Sequence, residues 1–250
     1  MTGSPPAGAS ASRRRFSVWL LLCAVLALAA LLALGTWQVQ RLQWKEALIA
    51  DIEGRIHSAP MPLAQAEQIF AETGDVDYRP VKASGSFLHA GERHFFATHE
   101  GQSGFYVYTP LRLGDGRILF VNRGFVPYER KDPATRPEGQ VEGQVEVVGL
   151  ARNPLPGKPS FMVPENDPGK NLFYWKDMQA MAATAGLPQG TDVLPFFVDA
   201  FRSDVPGGIP VGGVTIVELP NNHLQYALTW YGLALALVGV LGIFYLRRGE

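Results

Sequence analysis

The stretch at residues 16–37, FSVWLLLCAVLALAALLALGTW, decides the fold class, because it runs for 22 residues without a charged side chain. At the helical rise per residue it extends ~33 Å, which is enough to cross the hydrocarbon core of a bilayer. A cleaved signal peptide would have a shorter apolar segment ending at a small-residue cleavage site. Here the run ends in Gly35-Thr36-Trp37-Gln38, which predicts an uncleaved transmembrane helix.

A second stretch at residues 224–246, LQYALTWYGLALALVGVLGIFYL, also lacks charges. Arginines flank the outer ends of both stretches, at 13–15 before the first and at 247–248 after the second. Positively charged flanks remain on the cytoplasmic side of a membrane. Both termini are therefore predicted to be cytoplasmic, and the region between the spans is predicted to be translocated.

The two spans divide the chain into five predicted segments. A bacterial inner (plasma) membrane is the predicted location, because the first segment leaves little room for a mitochondrial presequence. The main domain is then periplasmic and the spans contact the lipid bilayer. The segments are a disordered cytoplasmic tail (1–15), a first transmembrane helix (16–38), a periplasmic β-rich domain with an N-terminal helical extension (39–222), a second transmembrane helix (223–246) and a cytoplasmic tail (247–250).

Composition argues against several functional classes. The chain has 250 residues, of which 47% are hydrophobic, and a formal charge of −1. It therefore has no excess of positive charge with which to bind nucleic acid through phosphates. Cys23 is the one cysteine and lies inside the first span, so thiol chemistry in the soluble part is excluded for a chain acting alone. Motifs of serine hydrolases, zinc peptidases, dinucleotide enzymes and P-loop enzymes are missing, and no enzymatic activity is predicted.

The region between the spans contains short β-branched and aromatic runs separated by Gly, Pro and Asp, which is typical of strands. Helical periodicity continues from the first span to about Arg55, and Pro60 and Pro62 then end the helix. Another helix is predicted at 175–185. We expect an antiparallel β-rich (α+β) domain, for which a small closed barrel is one arrangement. The predicted strands are 81–87, 94–98, 105–113, 117–125, 141–151, 194–201 and 214–218.

Three histidines of the predicted domain, His89, His94 and His99, lie near one another in sequence. A metal site is conceivable if a turn and a strand bring them together. Their spacing matches no ligand pattern, so we interpret them as surface or hairpin histidines.

The segment VNRGF at residues 121–125 indicates the end of a strand that turns at a glycine before Pro127. This predicts a positive φ at Gly124. Arg123 and Gly124 are accordingly interpreted as structural residues.

Aromatic and basic side chains mark the membrane borders of both spans. At helical spacing, each border places these side chains on one face. An interfacial belt has the same composition, since Trp anchors a helix and cations snorkel to headgroups. His223 lies at the outer edge of the bilayer, and taken alone it is explained as a polar residue at the start of the second transmembrane helix. The residues are Trp37, Arg41, Trp44 and Leu48 at the first span, flanked by Gln38 and Lys45, and His223, Tyr226, Ala227 and Trp230 at the second.

Three stretches carry a family resemblance when they are taken together: LGTWQVQRLQWK at 34–45, VNRGFVP at 121–127 and NNHLQYALTWYG at 221–232. In their order and in the two-span layout, they resemble the surfeit locus protein 1 family of cytochrome c oxidase assembly factors, in its bacterial type. The resemblance covers nearly the whole chain.

The resemblance implies an assembly factor for a haem-copper (cytochrome c) oxidase, which binds haem a and assists its insertion into subunit I. Cytochrome c oxidase subunit I is the implied partner, and haem A synthase is left open as a second. His223 would ligate the haem iron. Cations for the propionates and rings against the macrocycle would come from Arg41, Lys45, Trp37, Tyr226 and Trp230. Two alternatives stay open: a membrane scaffold that stabilises oxidase subunits without a cofactor, and a membrane-tethered periplasmic enzyme.

Overall fold

The computed structural model describes residues 8–215 and 219–248, with the side chains of 18–215 and 219–247. The chain forms two compact units, residues 1–51 with 218–250 and residues 52–217. The first unit is helical and the second is built on a sheet. The helices are α1 Gly8–Ile56, α2 Leu63–Thr73, α3 Met178–Thr184 and α4 His223–Arg248. The strands are β1 Met61–Pro62, β2 Pro80–Phe87, β3 Arg93–His99, β4 Gln102–Leu113, β5 Ile118–Pro127, β6 Gln144–Arg152 and β7 Val193–Ala200.

Two terminal helices have the length and apolar composition of membrane spans, over Val18–Ile56 and His223–Arg247. The prediction of two such helices is confirmed, and α1 ends at Ile56 close to the predicted end. Residues 8–15 are helical, so the prediction of a disordered tail is wrong for them. The sequence from Ala9 to Arg15 contains no Pro or Gly that would stop the helix. Residues 1–7 of that tail lie outside the described residues.

In the helical unit, α1 and α4 pack antiparallel to each other. Gly35 and Thr36 of α1 lie against Tyr231 of α4, whereas Gln38 meets His223, so the contacts run in opposite directions along the two helices. A Cβ added to Gly35 would lie 2.8 Å from the Tyr231 ring. Glycine therefore permits the close approach of the two helices here.

In the second unit, five strands close into a small barrel. Their hydrogen-bonded order is β2, β6, β7, β5, β4, and β4 pairs back to β2. β1 adds to β2, and β3 adds to β4. This matches the small closed barrel that the strand pattern allowed.

The sheet is mixed, so the expectation of an antiparallel domain is only partly correct. Most pairings are antiparallel, but β5 pairs with β7 in parallel and β1 pairs with β2 in parallel. A parallel pair needs a long connection. Between β5 and β7 the chain forms β6 and then the segment 153–192 with α3, and β7 therefore returns beside β5 in the same direction.

Several predicted boundaries shift. Strand β6 begins at Gln144, after Gly143 with a φ of 82°, rather than at 141. Helix α3 is shorter than predicted, because Asp177 caps it by accepting a hydrogen bond from the Ala180 N–H. Helix α2 was not predicted and begins directly after Pro62. Of the strand predicted at 214–218, residues 214 and 215 are not in a strand and the rest lies outside the described residues.

Both faces of the central strand β5 are buried, which follows from the period of two along a strand. Leu119 and Val121 belong to one core, which includes residues of α2, whereas Ile118 and Phe120 belong to a second core that includes Met181 of α3. The two helices thus cover opposite faces of the sheet.

Candidate functional site

The predicted ligand His223 is hydrogen-bonded inside the helical unit. Its Nδ1 lies 2.7 Å from Oε1 of Gln38 on α1, and Gln38 is buried. A carboxamide oxygen can only accept, so Nδ1 carries the proton and donates it. The other ring nitrogen, Nε2, is then left with its lone pair, and the ring orientation is fixed by Gln38.

The other predicted site residues lie on the same two helices, and within the described residues none of them is hydrogen-bonded to this pair. Trp37 is 53% exposed and Tyr226 is 54% exposed. The Arg41 guanidinium is exposed and lies over the Trp44 ring, 3.9 Å from its centroid. Lys45 and Trp230 are partly buried. The structure therefore joins His223 to Gln38, which was not among the predicted site residues.

The helices α1 and α4 also pack closely near Gln38 and His223. Thr36 Oγ1 lies 3.1 Å from the Tyr231 hydroxyl, and Thr36 also donates to the Leu32 carbonyl at 2.9 Å. Ala227, one turn after His223, is buried. Small residues and these hydrogen bonds position His223 and Gln38 against each other.

The three histidines of the barrel unit do not converge. His89 Nε2 donates to the Val141 carbonyl at 2.8 Å, His94 Nε2 is 2.9 Å from Oε1 of Glu92, and the His99 ring packs on Phe125. Within the described residues there is no cluster of three metal-ligating side chains. His94 is buried in the hairpin of β3 and β4, so its interpretation as a hairpin histidine is confirmed and the surface alternative is wrong for it.

A buried ionic cluster surrounds Glu92. Its carboxylate accepts hydrogen bonds from His94 and from Nη2 of Arg136, whose side chain is fully buried. Burial by itself would raise the pKa of Glu92, but the bond from His94 and the charge of Arg136 outweigh it and hold the pKa below its usual value. The carboxylate is therefore ionised inside the fold.

Arg123 lies beside this cluster, at a β-bulge. Tyr106 pairs with Phe125 and Tyr108 pairs with Asn122, so β5 contains one more residue than β4 at this point. Bulges redirect side chains. Gly124 has a φ of 125°, which confirms the predicted positive φ, but it lies within β5 rather than at its end.

Sequence reasoning missed this cluster because its members are far apart in the chain. Glu92, Arg123 and Arg136 belong to three different segments, and no local spacing relates them. Gln38 had a detectable signal: it is a polar residue on the helical face of Gly35, at the end of an apolar run.

Comparisons with known proteins identify the family of the chain. The profile of the SURF1 family matches residues 25–235. Surfeit locus protein 1 of Homo sapiens is 42% identical over 255 residues, covering 94% of this chain and 80% of the human protein. The Xenopus tropicalis protein is 44% identical, with 87% of this chain and 72% of its own length covered. The Takifugu rubripes protein is 39% identical, with 88% and 93% covered. The chain therefore belongs to the SURF1 family.

Proposed function

We propose that the protein is an assembly factor for a haem-copper oxidase, and that it binds haem a through His223 and assists its insertion into subunit I. The observation that carries this proposal is the hydrogen bond from His223 to Gln38. A metal-ligating histidine usually donates its second ring N–H to an oxygen acceptor, which orients the ring and fixes the tautomer. His223 has this arrangement.

The residues around His223 fit the chemistry of the group. Haem a supplies an iron that takes an axial imidazole, and propionates that take cations. His223 would offer Nε2 to the iron, and Arg41 and Lys45, about one and two turns after Gln38 on α1, would meet the propionates. The aromatic side chains that would cover an apolar ring are Trp37, Tyr226 and Trp230, two of which are more than half exposed.

The proposed role is binding and delivery rather than catalysis. Cytochrome c oxidase subunit I is the proposed recipient, and haem A synthase is a proposed donor. Membership of the family supports this role.

A cofactor-independent scaffold is the second candidate, and the same contacts favour it. Gln38, His223, Gly35 and Tyr231 tie the two helices together, so His223 has a structural explanation without haem. The two candidates differ in the haem content of the purified protein. Full-length protein isolated from cells that make haem a should carry haem a in the first case and none in the second.

We further propose that both termini are cytoplasmic in a bacterial inner membrane and that the domain between the spans, residues 39–222, is periplasmic. The arginines outside both spans support this orientation. A reporter enzyme that is active only in the periplasm should be active when inserted near Gly157 and inactive when fused after Glu250. The opposite activities would contradict the orientation.

A further inference from the structure

Arg123 is a buried cation without a countercharge. Its side chain is 6% exposed, and its hydrogen bonds go to the carbonyl of Gly139 and, at 3.5 Å, to Nδ1 of His89. The guanidinium also lies over the Phe87 ring, 4.8 Å from its centroid. All three partners are neutral, and across the described residues no carboxylate lies within ion-pair distance of Arg123. Burying a charge in this way costs free energy unless another group compensates it.

The neighbouring ionic cluster does not supply that compensation. Arg136 already pairs with the carboxylate of Glu92, and the charge of Glu92 also acts on the buried Arg93, so three buried arginines lie near one negative charge. Burial lowers the pKa of Arg123 to about 10, while the charge of Glu92 opposes the shift and that of Arg136 adds to it. Arg123 is thus still protonated at neutral pH, and the barrel unit contains an excess positive charge at this point.

Arg123 is one of the residues that line a cavity of about 540 Å³, a size typical of small-molecule sites. Apolar side chains form much of its wall. The charge of Glu146 in that wall is paired with Lys82 at 2.8 Å, and Arg202 and Asp204 are exposed. Arg123 is therefore the buried charge of this wall. The lining residues with apolar side chains are Phe87, Val141, Val145, Val147, Val148 and Val205, of which Val147 also belongs to the buried barrel core.

We propose that this cavity binds an amphipathic monocarboxylate, with its carboxylate on Arg123 and its apolar body along the valine-rich wall. A guanidinium matches the planar geometry of a carboxylate, and desolvated pairs of this kind are among the stronger hydrogen-bonded contacts. One guanidinium balances the single charge of a carboxylate, whereas a phosphate monoester would leave negative charge in an apolar site. The residues concerned all lie in the unit 52–217, so the proposal does not depend on haem binding at His223.

The test uses photoaffinity labelling of the full chain in detergent. One probe is a ten-carbon fatty acid with a diazirine in its chain, and the matched probe has the same chain with an alcohol head. Mass spectrometry of peptides separates labelling of the cavity, at 141–148 and 200–205, from non-specific labelling of the helices. We expect the carboxylate probe to label the cavity peptides about tenfold more than the alcohol probe. Equal labelling by the two probes would overturn the proposal.

Two variants test whether Arg123 is the residue that binds the carboxylate of the probe. Arg123→Met keeps an apolar side chain of similar length and should reduce carboxylate labelling of the cavity about tenfold. Arg112→Met, which alters an exposed arginine on β4 outside the cavity, should leave it unchanged. Labelling of Arg123→Met at the level of the unaltered protein would contradict the assignment.

A second variant keeps the proposal testable if Arg123→Met does not fold. Val205→Trp fills the cavity from a loop position and leaves Arg123 in place. It should abolish labelling of the cavity peptides by the carboxylate probe. Undiminished labelling in folded Val205→Trp protein would show that the probe binds elsewhere and would refute the proposal.

Discussion

The imidazole of His223 on α4 donates through Nδ1 to the carboxamide oxygen of Gln38 on α1, at 2.7 Å. This one bond fixes the orientation of the imidazole, its tautomer and the nitrogen available to an iron. It also joins residues that are 185 positions apart in the chain. The proposed haem site therefore depends on the pairing of the two terminal helices.

Replacement of Gln38 should weaken haem binding without abolishing it. Gln38→Leu removes the acceptor and keeps the size of the side chain, so the ring of His223 loses its fixed orientation. Loss of such a supporting partner typically reduces metal affinity about 10- to 100-fold. Titration of purified protein with haem a, followed by Soret absorbance, measures the change. Gln40→Leu, on an exposed position of the same helix, is the control, and equal affinities in the two variants would exclude the proposed support.

Replacement of Gly124 should prevent the barrel from folding. A Cβ there would lie 2.0 Å from the Val211 carbonyl oxygen, and the φ of 125° is unfavourable for other residues. Gly101 also has a positive φ but has open space around it. Gly101→Ala should therefore cost only about 1 kcal/mol, whereas Gly124→Ala should lose the thermal transition. A Gly124→Ala protein with a normal transition would show that the contact with Val211 can relax.

The stability of the barrel unit should fall below pH 6.5 because of His89. Burial lowers the pKa of His89, the hydrogen bond to Val141 opposes the shift, and the charge of Arg123 adds to it. His89 therefore takes up a proton more readily in the unfolded chain than in the folded protein. The contribution of neutral His89 to the stability is complete above its unfolded pKa of about 6.5. It is lost as the pH falls from there through the lower pKa that His89 has in the folded protein.

Thermal unfolding of the full chain between pH 7.5 and 5.5 measures this effect. His89→Gln retains a donor for the Val141 carbonyl but does not titrate, so its transition should depend less on pH. His57→Gln, at an exposed histidine, should keep the pH dependence of the unaltered protein. An identical slope in His89→Gln would assign the effect to other groups.

Neutralising Glu92 should destabilise the barrel unit strongly. Glu92→Gln leaves the fully buried Arg136 without its countercharge, and breaking a buried pair typically costs on the order of 3–5 kcal/mol. The double variant Glu92→Gln with Arg136→Met should recover part of that loss, because the uncompensated cation is removed as well. Denaturant titration of both variants, with exposed Glu129→Gln as the control, gives the comparison. A Glu92→Gln protein as stable as the control would contradict the ionic role of the cluster.

Local patterns in the sequence predicted the two apolar helices, most of the strands and the conformation of Gly124. Each of these depends on residues that are near one another in the chain, through a period of 3.6 or 2 or through a backbone requirement of glycine. Helix α2 was missed because Pro62 indicated an end, although proline is equally tolerated at the start of a helix.

Long-range pairing was harder to predict. The parallel pairing of β5 with β7 depends on how the segment 153–192 returns, and the cluster of Glu92 with Arg136 joins positions 44 apart. Neither has a local signature. For the helix pair, the sequence identified His223 as a candidate ligand but not Gln38 as its partner, because nothing in either span specifies which residues of the other it meets.

Haem a content of the purified full-length protein tests the central proposal most directly. Protein isolated from cells that make haem a should show the Soret absorbance of a histidine-ligated haem a, about one haem per chain. His223→Ala should lose that absorbance while remaining inserted and folded, and His57→Ala should keep it. Unchanged haem stoichiometry and an unshifted spectrum in His223→Ala would contradict the proposal and leave His223 as a structural contact between the two helices.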